Sequence, residues 1–146
     1  MIALDTNILV YAHRRDSEWH TRAAECVRGL AESLAAWALP WPCLHEFLAI
    51  VTHPRIYSPP SKLKEAMNQV TAWLESPSVA LLAESAEHWS SLRQVLESSR
   101  VAGPKVHDAR IAALCLAHGV RELWTSDRDF SAFASLKVCN PLVAPY

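Results

Sequence analysis

The chain has 146 residues, of which 51% are apolar and 20% are charged, and its net charge is −1. This length suits one globular unit with a full core, so we expect a single domain over residues 1–146. The near-neutral charge provides no broad attraction for a polyanion, which leaves any nucleic-acid binding to local groups. No apolar run reaches the roughly 18 residues that span a bilayer, and Asp5 interrupts the apolar start, unlike an export signal. We therefore expect a cytoplasmic protein that does not enter a membrane.

In the first half of the chain, short apolar segments alternate with segments whose apolar side chains recur every three or four residues. The first pattern is typical of buried strands and the second of amphipathic helices. In chain order we predict a strand at 2–4, a helix at 8–13, a helix capped at 16–17 and running through Leu34, a strand at 37–39 and a helix from Pro42 to about 52. The last of these helices is apolar nearly all round, so we expect it to be buried.

The second half repeats this alternation. Ser61 and Ser85 are placed to open helices, and Gly119 follows the last apolar position of a third. We predict a helix from 61 to about 76 through Leu63 and Met67, a strand at 79–82, a helix from 85, a polar loop at 98–105, a helix at 106–118 and strands at 123–125 and 136–138. Strands that alternate with helices indicate an α/β fold, with a parallel sheet flanked by helices.

The sequence gives little support to a zinc site. No Cys-x-x-Cys motif is present, and His45-Glu46 would need a second histidine at Ala49 to match the zincin helix motif. Reduced, buried thiols are expected instead for the four cysteines, Cys26, Cys43, Cys115 and Cys139.

Aspartate is scarce in this chain, and four of the five aspartates lie at the ends of predicted elements. Asp5 ends the first strand, Asp108 begins the helix after the polar loop, and Asp127 and Asp129 follow the fourth strand. Ligands bind an open α/β sheet at the carboxyl ends of neighbouring strands. We therefore expect Asp5 and Asp127 to converge.

Two acids are placed among apolar residues. Asp108 shares its helical face with Ile111 and Cys115, and Glu46 lies in a segment that is too apolar to be solvated. An inward carboxylate needs a partner, and carboxylates gathered in one cleft repel each other unless a hard cation lies among them. Because Mg²⁺ and Mn²⁺ take oxygen ligands, the sequence predicts a Mg²⁺ or Mn²⁺ site.

Each acid also has an ordinary structural explanation. Asp108 could complement a helix dipole, Asp127 and Asp129 could shape a turn, and Glu46 could pair with a buried arginine. One shared site would account for all of these acids together.

A pair of divalent cations held by carboxylates can activate water and stabilise the charge that develops during phosphodiester hydrolysis, which favours a nuclease. A divalent-metal phosphohydrolase acting on small molecules is an alternative, although its Asp-x-Asp motif would place a second aspartate where this chain has Asn7. A third interpretation is a non-catalytic binding module, in which the acids hold a structural cation and the helices bind a partner.

Four short motifs, in this order, resemble those of the PIN-domain ribonucleases, and more closely the VapC toxins of bacterial toxin–antitoxin pairs. The motifs are Asp5-Thr6-Asn7, Glu46-Phe47-Leu48, Val106-His107-Asp108-Ala109 and Thr125-Ser126-Asp127-Arg128-Asp129-Phe130. The segments Thr52-His53-Pro54-Arg55-Ile56-Tyr57 and Asn140-Pro141-Leu142 resemble one branch of these toxins. The resemblance covers nearly the whole chain, so residues 1–146 would form a single PIN domain.

This resemblance implies a three-layer fold with a parallel sheet of about five short strands. It implies Mg²⁺- or Mn²⁺-dependent endonucleolytic cleavage of RNA. It also implies a homodimer, and a cognate antitoxin protein that occupies and blocks the acidic groove.

The same resemblance assigns roles to individual residues. The catalytic and metal-binding pocket would consist of Asp5, Glu46, Asp108 and Asp127. Asn7 and Thr125 would hold these carboxylates in place, and Asp129 would be either a further acid or a turn residue.

The tryptophans and several basic residues can each be explained either by function or by ordinary structure. The six tryptophans exceed what one small core usually needs, so some could lie at an interface, although core packing is the simpler account. Several basic residues near the acidic positions could contact RNA or could be solvated charges. They are Arg14, Arg15, Arg55, Lys105, Arg110 and Arg128.

Overall fold

A computed structural model of the protein describes residues 1–143. Within these residues, five short strands form one sheet. They are β1 (Ile2–Leu4), β2 (Trp37–Pro40), β3 (Val79–Leu82), β4 (Glu122–Trp124) and β5 (Lys137–Cys139). All neighbouring strands are parallel, and their spatial order is β3-β2-β1-β4-β5. The predicted parallel sheet of about five strands is confirmed.

Six α-helices within residues 1–143 connect the strands and flank the sheet. They are α1 (Thr6–His13), α2 (His20–Ala31), α3 (Trp41–Val51), α4 (Leu63–Leu74), α5 (His88–Ser99) and α6 (Val106–Ala117). The first four form one packed group, and α5 packs against α6. Because crossovers between parallel strands are right-handed, the change of direction after β3 puts these groups on opposite faces of the sheet. None of the described helices has the length and apolarity that a membrane crossing requires.

The strand order places a crevice at the carboxyl ends of the central strands β1 and β4. β1 pairs with β2 on one side and with β4 on the other, and Leu4 lies beside Trp124. The residues that follow, Asp5 and Thr125, therefore leave the sheet side by side. The chain runs outward from β1 to β3 and then returns across β1 to β4, and ligands bind in open α/β sheets where the connections change direction in this way.

Local sequence explains several element ends. Asp5 caps α1, since its carboxylate accepts a hydrogen bond from the backbone N–H of Thr6 at 2.8 Å. Pro42 lies in the first turn of α3, where a backbone N–H needs no helical partner. Gly119 follows α6 with a φ of +68°, the left-handed conformation that glycine adopts without a steric penalty.

The second helix is shorter than predicted at both ends. α2 begins at His20, because Asp16 accepts two hydrogen bonds from the Arg14 guanidinium and does not cap the helix. It ends at Ala31, and the Ser33 hydroxyl accepts the backbone N–H of Ala35 in a competing turn. The side chain of Leu34 therefore lies beyond the helix and is fully exposed.

The helices α4 and α5 also differ from their predicted form. Leu63 and Met67 of α4 are exposed, because the helix is turned so that Trp73 packs edge-on against Phe47, with ring centroids 4.9 Å apart. α5 begins at His88 and not at Ser85, whose hydroxyl accepts the backbone N–H of Glu87 in the preceding turn.

Most of the tryptophans belong to the core. Trp37, Trp73 and Trp124 are buried, and Trp19 and Trp41 are half-buried. Trp89, on α5, is 65% exposed. Core packing therefore explains all of the tryptophans except Trp89.

None of the four cysteines, all within residues 1–143, forms a disulfide bond, which agrees with the predicted reduced thiols. Cys26, Cys43 and Cys115 are buried and Cys139 is half-buried. Burial raises the pKa of the Cys43 and Cys115 thiols, which keeps both protonated at neutral pH.

Candidate active site

Four carboxylates from four different elements line one open cleft at the carboxyl ends of β1 and β4. The cleft has a volume of about 240 Å³. Asp5 follows β1, Glu46 projects from α3, Asp108 lies in the first turn of α6, and Asp127 follows β4. We call this space the acidic cleft, defined by these four residues.

Asp5 is the most constrained of the four, with a side chain that is held from several directions. The residue is only 5% exposed. Its Oδ1 accepts the backbone N–H of Thr6 at 2.8 Å and faces the Cys43 thiol at 3.7 Å. Its Oδ2 accepts hydrogen bonds from Asn7 Nδ2 at 3.0 Å and from Thr125 Oγ1 at 2.7 Å.

Burial is the largest influence on the Asp5 carboxyl and raises its pKa. The hydrogen bond from Thr125 lowers this pKa, whereas the charges of Glu46 and Asp127 raise it further. The neighbouring acids therefore add to the difficulty of keeping a negative charge on Asp5.

Asn7 and Thr125 join the ends of β1 and β4. Thr125 Oγ1 contacts Asp5, and it also accepts hydrogen bonds from Asn7 Nδ2 and from the backbone N–H of Asp127, each at 3.0 Å. The Asn7 side-chain oxygen accepts the backbone N–H of Ser126 at 3.0 Å. This is the geometry that a supporting role for Asn7 and Thr125 requires.

Asp108 faces the cleft without such support. Its side chain is half-buried and makes no hydrogen bond to another residue within 1–143. Burial raises its pKa to about 6, helped by the charges of Asp127 and Asp5, and Lys105 opposes the shift. The cleft therefore gathers more negative charge than the protein neutralises there.

Glu46 is placed differently from expectation, whereas Asp129 matches one of its two predicted roles. Glu46 is exposed, so the argument that α3 is too apolar to solvate it is wrong. α3 buries Cys43 and Phe47 on one side and leaves Glu46 on the side that opens to the acidic cleft. Asp129 is exposed and lies outside the cleft lining; its backbone N–H donates to Asp127 Oδ1 at 2.8 Å, which is turn geometry.

The sequence prediction missed two tyrosines that line the cleft, Tyr11 and Tyr57. Tyr11 lies four residues after Asn7 on α1 and so shares its helical face, a spacing that could have identified it. Tyr57 comes from the loop after α3, and the Arg14 guanidinium lies 4.1 Å from its ring centroid. No local pattern connects Tyr57 to the acids.

The donor set of the cleft fits a hard divalent cation. Its charged groups are all carboxylates, which suit Mg²⁺ or Mn²⁺ better than softer ions. Within residues 1–143, no group of three or more His, Cys, Asp or Glu side chains is arranged to hold a metal ion by itself. Mg²⁺ is commonly held by one or two carboxylates together with several waters. Asp5 Oδ1 and Asp108 are the candidate ligands, because neither is saturated by strong donors.

The raised pKa of Asp108 predicts a pH dependence for the metal-free protein. Below pH 3.8 the carboxyl is protonated in both states, and between 3.8 and about 6 the folded state holds the proton more tightly. We therefore expect stability to fall as pH rises through this window, by about 1 kcal/mol after solvent screening.

Added Mg²⁺ should reverse this loss at neutral pH. At a Mg²⁺ concentration 100 times its Kd, the free energy of unfolding should rise by about 2.7 kcal/mol. Thermal unfolding with and without Mg²⁺, at several pH values, measures both effects. Asp108→Asn should flatten the pH response, and a transition insensitive to pH and Mg²⁺ in the unaltered protein would contradict the prediction.

The fold and the cleft have known counterparts. A family model described as "PIN domain" matches residues 2–136, and the chain belongs to the PIN-domain family.

Within that family, the chain is similar to VapC ribonucleases. Ribonuclease VapC43 of Mycobacterium tuberculosis is 32% identical over 142 residues, which cover 97% of this chain and 96% of that protein. Ribonuclease VapC48 of the same species is 29% identical over 137 residues, which cover 94% of each chain. The solved structure of VapBC2 from Rickettsia felis, bound to a DNA fragment from their promoter, has a TM-score of 0.68 at 22% identity and covers 96% of this chain and 98% of that one. The VapC likeness predicted from the four motifs is confirmed.

Proposed function

We propose that this protein is the toxin of a type II toxin–antitoxin pair and acts as a Mg²⁺- or Mn²⁺-dependent endoribonuclease. The observation that carries the proposal is the acidic cleft, where carboxylates from four elements face one space of about 240 Å³. Relatives along the whole chain are named ribonucleases, which supports RNA as the substrate.

The roles follow from the contacts of each side chain. Asp5 and Asp108 are the proposed metal ligands, and Glu46 and Asp127 complete the negative pocket. Asn7 and Thr125 hold Asp5 in position through their hydrogen bonds. A bound divalent cation would supply Lewis acidity for a phosphodiester and for a water molecule. Asp129 remains a turn residue in this scheme.

Incubation of purified protein with RNA tests the activity directly. We expect internal cleavage in Mg²⁺ or Mn²⁺, none with a chelator, and no turnover of a phosphomonoester such as p-nitrophenyl phosphate. Phosphomonoester turnover with intact RNA would favour a small-molecule phosphohydrolase. Metal-dependent stability with neither activity would favour a binding module.

The family resemblance supports two protein partners. We propose a cognate antitoxin that covers the acidic cleft, and a second copy of the chain in a homodimer. Exposed Leu63 and Met67 on α4 offer apolar surface for such contacts. Residues 1–146 would act as a single PIN domain in the cytoplasm. Growth arrest on expression, relieved by the product of a neighbouring short reading frame, would support the toxin role.

A further inference from the structure

A second cleft opens beside the acidic cleft, between α3 and α6. It has a volume of about 300 Å³, and Pro42, His45 and Ala49 of α3 and His107 and Arg110 of α6 contribute to its lining. Glu46 lines both clefts. This second space, which we call the α3–α6 cleft, is therefore adjacent to the acidic cleft, with Glu46 at their common wall.

The two histidines without a hydrogen-bond or ion-pair partner among residues 1–143 both line this cleft. Five of the seven have a hydrogen-bond or ion-pair partner: His13, His20, His53, His88 and His118. His45 and His107 have none among residues 1–143, and both line the α3–α6 cleft. Each imidazole thus keeps nitrogen atoms without a partner among residues 1–143, and both residues line the same space.

Arg110 adds a positive charge to this wall. Its Nε donates to Glu84 Oε1, and within residues 1–143 its terminal nitrogens make no hydrogen bond. A guanidinium with free terminal N–H groups can bind a phosphate group in bidentate fashion. The cleft therefore offers cationic and neutral donors immediately beside a space lined with carboxylates.

The exposed His45 ring lies beside the ring of Trp41. The two ring centroids are 6.0 Å apart, with planes inclined by 37°. Aromatic side chains at the wall of a cleft can serve as platforms for unstacked bases. A volume of about 300 Å³ is at the lower end of small-ligand pockets, a size that suits one nucleotide.

We propose that the α3–α6 cleft binds the RNA nucleotide adjacent to the phosphodiester in the acidic cleft, with Arg110 contacting its phosphate and His45 and His107 contacting its base or sugar. The proposal rests on the proposed ribonuclease function. A metal is a poorer occupant, because Arg110 repels cations and no described group of His, Asp or Glu here is arranged to hold one. The cleft would then contribute to the choice of sequence at the cleavage site.

The test combines two measurements. Cleavage kinetics give kcat and KM, and the binding of a fluorescent single-stranded oligoribonucleotide gives Kd. The binding is measured with a metal chelator present, so that the RNA is not cleaved. Arg110→Ala should raise KM and the oligonucleotide Kd about tenfold, with kcat little changed. It should also reduce the slope of log Kd against log salt by about 0.7, the value for one phosphate contact on a single strand. The double variant His45→Ala/His107→Ala should weaken binding and alter cleavage-site preference without changing that slope.

Two matched controls separate these effects from general surface changes. Arg93 lies on α5, is exposed and pairs with Glu97, so Arg93→Ala removes an equivalent arginine elsewhere. His118 follows α6 and bonds to the Leu114 carbonyl, which makes His118→Ala the histidine control. Both should leave KM, Kd and the salt slope unchanged, and Arg110→Lys should restore the slope.

Each result has one meaning. Unchanged Kd and salt slope in Arg110→Ala, with normal folding, would overturn the nucleotide site. Loss of antitoxin binding with unchanged RNA affinity would also overturn it and assign the cleft to the antitoxin. If the unaltered protein binds the oligonucleotide but cleaves no RNA with metal, the ribonuclease function fails, while the binding measurements still decide the site.

Discussion

Asp108→Asn is expected to lower RNA cleavage by about 100- to 1,000-fold, because it would remove one proposed negative ligand of the divalent cation, which would supply several kcal/mol of transition-state stabilisation. The substitution keeps the size of the side chain and one of its oxygens. Asp108 accepts no hydrogen bond from another residue within 1–143, so an amide there meets no opposing donor. The folded protein should therefore remain intact, and the loss should be in chemistry.

Asp5→Asn is a less informative change at the same site. Asp5 accepts hydrogen bonds from Thr6, Asn7 and Thr125, so an amide nitrogen would face at least one donor and disturb the folded state. Asp108→Asn separates catalysis from stability more cleanly.

The matched control for Asp108→Asn is Asp129→Asn. Asp129 is a neighbouring aspartate, but it is exposed, lies outside the cleft lining and faces Lys105 at 3.9 Å. Its replacement should leave cleavage within about twofold, as for an ordinary surface change. Steady-state cleavage at saturating Mg²⁺ or Mn²⁺ measures both variants. Equal activity in Asp108→Asn and the unaltered protein would refute the proposed metal site.

Phe47→Ala is expected to destabilise the fold by about 3–5 kcal/mol. Phe47 is fully buried, and its ring packs edge-on against His13 of α1 and Trp73 of α4, with centroids 5.3 and 4.9 Å away. Removing the ring leaves a cavity where three helices meet. Since Phe47 follows Glu46 directly, the same change loosens the helix that carries a cleft carboxylate.

Urea unfolding measures the loss of stability in Phe47→Ala, and cleavage by the fraction that remains folded measures the effect on the site. Phe47→Leu should restore most of the stability, because it refills most of the volume. Trp89→Ala removes a larger ring that is 65% exposed and should change stability by no more than about 0.5 kcal/mol. Unchanged stability in Phe47→Ala would contradict the packing described for α3, and a loss as large in Trp89→Ala would contradict the exposure of Trp89 on α5.

The convergence of Asp5 with Asp127 was predictable, because strand ends and parallel topology follow from local patterns. The apolar segments predicted as strands at 2–4 and 123–125 lie within one residue of the observed strands Ile2–Leu4 and Glu122–Trp124, and the residues after them share one edge. The alternation of elements likewise predicted the parallel sheet.

Glu46 shows the limit of such reasoning. The apolar composition of α3 predicted a buried helix, yet burial depends on which side faces a neighbour, and that is set by packing with α1 and α4. The same limit explains why Leu63 and Met67 are exposed while Ala66 and Trp73 are buried. The α3–α6 cleft was unpredictable for this reason, since it exists only between two helices distant in sequence.

The neighbours of the Thr125 hydroxyl determine the direction in which it donates its hydrogen bond. Asn7 Nδ2 and the Asp127 backbone N–H both point into its lone pairs, so its single proton has one direction left, towards Asp5 Oδ2. Asp5 Oδ2 already accepts hydrogen bonds from Asn7 and Thr125, so a proton on that oxygen would oppose two donors. The hydrogen bonds between the strand ends therefore all run in one direction and end on the Asp5 carboxylate. Thr125→Val would remove the hydroxyl that sets this direction.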